Sequence, residues 1–319
     1  VLLTGQGMPY DVSTIGKLKT LFSDVSSREL SGGNVYLVCK LTRRGKLIFE
    51  NKKEKTNEFR RPFGCAVLNL DDEVLAKMSE QEQEFTLPIY TSAQENQFAH
   101  LHDMLIKNKY GGATYSAVNN LAQGGSNSTT GGSQNQASTT GIQEVPRAKG
   151  ICIGLKAITT PDIKQYLAAL SDDKDKDLKT ISITPRFSLH DCMTPTTTRN
   201  DIFITILEGE FSQDRKTSAK NCEITVQVKL NNGDQVKDCI YIGSADKGKP
   251  EYRSFVIYHS NTPHWNETIR LNIPSEVIDQ AHLYFTVKHC STSEGKDKGP
   301  GFAFAFLKLT QPDGSVIKD

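Results

Sequence analysis

Residues 200–319 repeat one pattern: short runs in which apolar and polar side chains alternate, separated by turn-forming residues. A period of two sends successive side chains to opposite faces, so each run reads as a half-buried strand. The runs are 201–207, 222–228, 238–242, 254–258, 269–273, 282–288 and 302–309. Asn231-Asn-Gly-Asp234 is a tight-turn signal, and Pro263-His-Trp-Asn266 reads as a bend. Seven or eight short strands in this span predict an antiparallel sandwich. The alternation Phe302-Ala-Phe-Ala-Phe306 puts three rings on one face, and that face is expected to fill the core between the sheets. The single tryptophan, Trp265, is expected to anchor the core at a sandwich corner.

Upstream the pattern is mixed. Residues 35–41 and 46–49 read as strands joined by Thr42-Arg-Arg-Gly45, a hairpin. Residues 63–70 form another strand, and 85–90 a further one that Pro88 would confine to an edge. Phe98, Leu101 and Leu105 recur at helical spacing and predict a helix over about 95–108. No charged side chain occurs from Tyr110 to Gln143, and the centre of that stretch is Gly, Ser, Asn, Thr and Gln. Such a segment cannot bury enough surface to offset its ordering entropy, so 111–143 is expected to be a disordered insertion. Strand pattern resumes over 151–158, and Thr160-Pro161 starts a helix with Ile163, Leu167 and Leu170 on one face. The expected class is therefore mainly β: a mixed β/α region over 1–190, then a sandwich over 191–319.

Charge is the next constraint. The net charge of +1 excludes a global basic field for nucleic acid, so any anion site must be local. Basic residues gather in three connections of the sandwich: Arg215, Lys216 and Lys220; Lys247 and Lys249; Lys296 and Lys298, with Lys288 and His289 leading in. Alternate connections of a sandwich collect at one end, where ammonium and guanidinium groups can converge on phosphate. Solvated surface is the plain alternative, and Asp214, Asp246, Glu294 and Asp297 dilute the charge. The same isolated carboxylates do not make a calcium cradle, which needs several converging oxygens.

Seven cysteines (Cys39, Cys65, Cys152, Cys192, Cys222, Cys239, Cys290) are widely spaced, with no CxxC pair. That pattern speaks against a zinc site or a disulfide framework and suits a reducing compartment. Thiols within strands, such as Cys39 and Cys222, are expected to pack as small hydrophobes. The sequons at Asn127 and Asn266 then read as chance matches. His190-Asp191-Cys192 is too local for a nucleophile pair, whose members usually come from distant segments. There is no phosphate loop or dinucleotide fingerprint, so no cofactor is expected. No apolar run reaches a membrane span, and a chain starting at Val1 without a leader reads as an internal piece.

Several longer motifs carry a family resemblance. Arg199-Asn-Asp-Ile-Phe-Ile-Thr-Ile-Leu-Glu-Gly-Glu-Phe211, Lys216-Thr-Ser-Ala-Lys-Asn221 and Glu251-Tyr-Arg-Ser-Phe-Val-Ile-Tyr-His-Ser-Asn261 resemble the C2-type docking-homology domain of dedicator-of-cytokinesis proteins. So do Pro263-His-Trp-Asn-Glu267, His289-Cys-Ser-Thr292 and Gln311-Pro-Asp-Gly-Ser315. Leu21-Phe-Ser-Asp-Val-Ser-Ser27, Val35-Tyr-Leu-Val-Cys39 and Arg60-Arg-Pro-Phe-Gly-Cys-Ala-Val-Leu68 resemble the segment before that domain. Phe63-Gly-Cys-Ala-Val-Leu68 and His289-Cys-Ser-Thr292 point to subfamily B, which activates Rac with an engulfment-and-motility adaptor.

The resemblance implies part of a cytosolic guanine-nucleotide exchange factor recruited to the plasma membrane. It implies a C2-type domain that binds phosphatidylinositol trisphosphate without calcium, and an exchange domain outside these residues, so no exchange catalysis here. The implied headgroup residues are Arg215, Lys216 and Lys220, followed by Lys247, Lys249, Lys288, Lys296 and Lys298. Where family members often carry a Lys-Gly stretch, this chain has Gln213-Asp214.

Overall fold

The computed structural model describes residues 20–23, 25–46, 58–110, 141–145, 150–159, 162, 182–184, 201–211, 220–242, 248–290, 301–315 and 317. Two compact units emerge from the contacts: Val1–Ser27, Arg43–Arg61 and Ile158–Asp319 form one, and Arg28–Thr42 with Pro62–Ala157 form the other. Strand β1 (Thr20–Phe22) and the short helix α1 (Ser27–Leu30) open the chain.

The smaller unit takes β2 (Tyr36–Lys46) as far as Thr42 and β3 (Glu58–Asn69) from Pro62, then helix α2 (Asp72–Glu80), β4 (Gln83–Leu87), β5 (Tyr90–Ser92), helix α3 (Leu101–Tyr110), β6 (Ile142–Glu144) and β7 (Ile151–Leu155). Four strands form a sheet in the order β2-β3-β5-β6, and β4 pairs antiparallel with β7. Asp71 caps α2 by accepting a 3.0 Å hydrogen bond from the Val74 amide, which satisfies one of the helix's orphan donors. Cys65, Ala66, Val67, Phe98, Leu101 and Leu105 are buried, so the face read from helical spacing is a core face.

Three upstream expectations change. The strand through Thr42 continues to Lys46 rather than turning, because one glycine in an edge strand does not force a reversal when the flanking residues stay extended. The predicted strand over 85–90 is interrupted at Pro88 and Ile89, and its two halves join different sheets. Its proline removes the amide that a continuous ladder would need. The helix begins with a 3-10 turn, Glu95–His100, before α3. Of the polar insertion, 111–140 lies outside the described residues, while Ile142–Glu144 pairs antiparallel with β5. The helix predicted after Pro161 also lies outside them, apart from Asp162.

In the larger unit, β8 (Ser182–Thr184) pairs in parallel with β1. The sandwich follows: β9 (Asp201–Glu208), β10 (Cys222–Leu230), β11 (Ile240–Ile242), β12 (Glu251–Arg253), β13 (His264–Asn272), β14 (Ala281–His289) and β15 (Ala303–Lys308). One sheet runs β12-β10-β14-β15 and the other β11-β13-β9, with antiparallel pairing throughout. Val226, Val228 and Leu283 of the first sheet and Ile240, Ile269 and Leu271 of the second are fully buried. Each such side chain contributes about 1.5–3 kcal/mol by leaving water. Trp265 is fully buried too, and its indole donates to the Phe255 carbonyl at 2.8 Å, as a core anchor requires.

The apolar run 254–258 is not a ladder strand. Residues Ser254–Ile257 are buried, but the Ser254 amide bonds the Ile224 carbonyl and the Val256 amide bonds the Arg60 carbonyl. Apolar composition reported burial here, not pairing. Phe59 packs with Val256 and Cys290, so the first residues of β3 supply part of this unit's core.

The aromatic alternation of β15 is correct in period and wrong in side. Ala303, Ala305 and Leu307 stand opposite Val287, Phe285 and Leu283, on the inner face. Phe304 and Phe306 stand opposite Thr286 and Tyr284, on the outer face, and are 69% and 71% exposed. Period two says which residues share a face. The register with β14 decides which face is the core.

Candidate functional site at one end of the sandwich

The end is built outward from Trp265. β13 carries one extra residue between His264 and Glu267, a bulge in which Asn266 takes a left-handed φ of 46°. Beyond it Glu267 turns inward. Its carboxylate accepts from the Tyr252 hydroxyl and from the Phe255 amide at 3.3 Å, and the Arg60 guanidinium lies 3.4 Å away. Arg60 also donates to the Arg253 carbonyl. An inward carboxylate is costly unless so surrounded, and desolvation together with this carboxylate pushes the Tyr252 phenol well above its ordinary range.

Gly209 allows the next step outward. A Cβ there would lie 2.7 Å from the Phe211 ring, so only glycine lets Phe211 fold back over Trp265, ring centroids 6.3 Å apart. Phe302 meets Phe211 edge-on at 5.7 Å, and the Lys220 ammonium sits 4.0 Å from the Phe302 centroid. Gly301, at φ +106°, makes the turn that delivers Phe302, and a Cβ at that position would press on the Val287 carbonyl at 2.7 Å. A column of rings thus runs from the core to one cation, an arrangement favoured by the negative faces of the rings.

Asn221 binds the surrounding segments together. Its side-chain oxygen accepts from the His259 amide at 2.8 Å and its nitrogen donates to the Cys290 carbonyl at 3.1 Å. Its own amide donates to Nδ1 of His289 at 3.0 Å, so that nitrogen carries no proton. The Lys220 amide donates to Asn261, and the Lys220 carbonyl accepts from the Ser260 amide. His259 takes a left-handed φ of 48° and stacks on Tyr258 at 3.9 Å, while the Arg61 guanidinium lies 4.9 Å from the Tyr258 ring.

This geometry sorts the basic residues of the sequence. Residues 212–219 and 291–300, which hold Arg215, Lys216, Lys296 and Lys298, lie outside the described residues. Their flanks, however, meet at this one end: Phe211 and Lys220 contact Phe302, and Asn221 bonds Cys290. Lys288 lies just below it, paired at 2.8 Å with the nearly buried Glu223, so its charge is locally balanced. Lys249 bridges to Ile240, which stands opposite Leu271, and so lies toward the other end. Lys247 is outside the described residues, as are Asp214, Asp246, Glu294, Asp297, His190 and Cys192.

Sequence reasoning missed Arg61, His259 and the Asn221 hub. Arg61 comes from a distant segment, and a lone Asn or His in a turn carries no signal of its own. The repeated turn residues around 258–263 were the one available hint.

Two family models match this chain: "C2 domain in Dock180 and Zizimin proteins" over residues 195–319 and "DOCK N-terminus" over residues 1–123. Dedicator of cytokinesis protein 3 of Homo sapiens is 31% identical across 100% of the chain, and protein 4 of Mus musculus is 31% identical across 99%. The chain spans 14% of the length of each of these relatives, both of subfamily B. Protein 7 of Mus musculus is 30% identical over 34% of the chain and 5% of its own length. Among solved structures, a C2 domain of RIM from Drosophila overlays with a TM-score of 0.25 at 12% identity, covering 34% of this chain and 75% of that one. The first C2 domain of human synaptotagmin XIII overlays at 0.21 and 16% identity, covering 34% and 75%. These overlays are too slight to add to the fold. With the two models matched in order and relatives aligned across its length, this mainly β chain with a C2-type sandwich belongs to the dedicator-of-cytokinesis family.

Proposed function

We propose that this chain is the phosphoinositide-binding, membrane-targeting region of a Rho/Rac guanine-nucleotide exchange factor. In this reading residues 191–319 form the lipid-binding domain, and the exchange domain, Rac-type GTPase and engulfment-and-motility adaptor engage other regions of the parent protein. The protein is cytoplasmic and reaches the plasma membrane through phosphatidylinositol trisphosphate. The chain itself catalyses no exchange.

One observation carries the reading: the flanks of two of the three cation-bearing connections converge around Lys220, on an end held by the Asn221 hub. Arg215, Lys216, Lys220, Lys296 and Lys298 are the headgroup residues. Lys288 contributes less because Glu223 already balances it. Each basic residue near an anionic bilayer is worth about 1 kcal/mol. Lys216→Ala with Lys220→Ala is therefore expected to weaken binding to trisphosphorylated phosphoinositide vesicles roughly thirtyfold. Circular dichroism and melting should stay unchanged. Equal vesicle binding by wild type and variant would refute this assignment.

A protein-interaction scaffold, packing on other domains without lipid, is the second reading. The exposed rings of β15 are the surface such a partner would cover, since a contiguous apolar patch marks a surface that is covered in use.

A further inference from the structure

The outer face of the β10-β14-β15 sheet carries a line of rings between two groups of cations. Phe302, Phe304 and Phe306 are 41%, 69% and 71% exposed. Tyr284, directly opposite Phe306, lies 6.4 Å from the Phe304 ring and widens the stripe. At its upper end Lys220 sits over Phe302. At its lower end Lys229, His282 and Lys308 are successive cross-strand neighbours, a row of three basic side chains over three strands. Lys229 reaches to 4.1 Å from the Tyr284 ring. Two carboxylates of this sheet are engaged with other partners: Glu223 with Lys288, and Glu251 with Arg253 and Gln227. From Phe302 to Lys308 the strand rises about 20 Å.

We infer that this face is a second membrane contact, which lays the edge of the sandwich along an anionic phospholipid bilayer. The rings enter the interfacial zone, and the two cation groups reach lipid phosphates on either side of them. Two features select a bilayer over a protein partner. The stripe is continuous with the end that carries Lys220, so one orientation engages both. Its cations also bracket the rings at both ends, which suits a surface that is apolar inside and anionic throughout. The inference rests on the membrane role proposed above, though not on headgroup selectivity.

The test uses the whole 319-residue chain and vesicles of phosphatidylcholine with phosphatidylserine, free of phosphoinositide. Phe304→Ala with Phe306→Ala is expected to weaken co-sedimentation at least about tenfold, and Lys229→Gln or Lys308→Gln roughly fivefold each. Preference for trisphosphorylated over bisphosphorylated headgroups should survive in all of them. Because Trp265 is fully buried, Phe306→Trp adds a reporter whose emission should shift to the blue on vesicle addition. Unaltered vesicle binding by the double phenylalanine variant, with no emission shift, overturns the proposal and leaves the headgroup reading standing. Loss of self-association by that variant in light scattering, with vesicle binding unchanged, assigns the stripe to protein contacts and also overturns it. Phenylalanine-dependent binding to phosphatidylserine without phosphoinositide selectivity upholds the stripe while removing the headgroup reading.

Discussion

Trp265 shows how one side chain sets the end of this sandwich. Its ring supports Phe211 and its indole N–H satisfies the Phe255 carbonyl. Trp265→Ala should cost about 3–5 kcal/mol in denaturant unfolding, because cavity and lost transfer energy add. Trp265→Phe should cost less, since the core stays largely filled. The cysteines respond to burial in the opposite sense from reactive thiols. Burial pushes Cys65 up to about 12 and Cys222 and Cys239 up to about 11. Cys152 is exposed, so at pH 8 a thiol reagent should modify it quickly and reach Cys65, Cys222 and Cys239 only on unfolding. The linkage sign follows. Below the ordinary thiol value of 9.0, folded and unfolded chains hold the same protons at these sites. Above it the unfolded chain loses them first, so stability should fall as pH rises from about 9 toward 11, and pH-dependent denaturation measures it.

At the scale of elements, the upstream strand β3 completes the sandwich-containing unit. Arg60 reaches Glu267 and the Arg253 carbonyl, while its own carbonyl holds the Val256 amide. Arg60→Ala should lower unfolding free energy by roughly 2 kcal/mol, the scale of hydrogen bonds to a charged group. A piece beginning at residue 195 should unfold at lower denaturant than the whole chain's sandwich. Equal midpoints would contradict this role for β3. The same elements explain what was legible. β9, β10 and β14 fall where alternation put them because one face of each lies on the core between the sheets and the other is less buried along most of its length. Residues 254–258 were misread because full burial without alternation looks the same in a strand and in a buried connection. Lys220 was legible as a basic residue beside a strand. Asn221 and Arg61 were not, since their roles exist only once 259, 290 and 258 have been brought beside them.

For the whole molecule, the proposed role is recruitment to a membrane, and the geometry of one sandwich end supports that proposal. No helix among the described residues is long and apolar enough to cross one. In the proposed reading attachment comes from the surface: cations at the end and rings along β15. A surface held by several cations is salt-sensitive, because exposed charges are screened over about 10 Å at 0.1 M ionic strength. The most direct measurement is co-sedimentation of the chain with vesicles carrying trisphosphorylated phosphoinositide, at two salt concentrations, with a calcium chelator present. The account predicts binding above that to plain anionic vesicles, weakened by salt and indifferent to the chelator. Binding no stronger than to plain anionic vesicles, or binding abolished by the chelator, would contradict it.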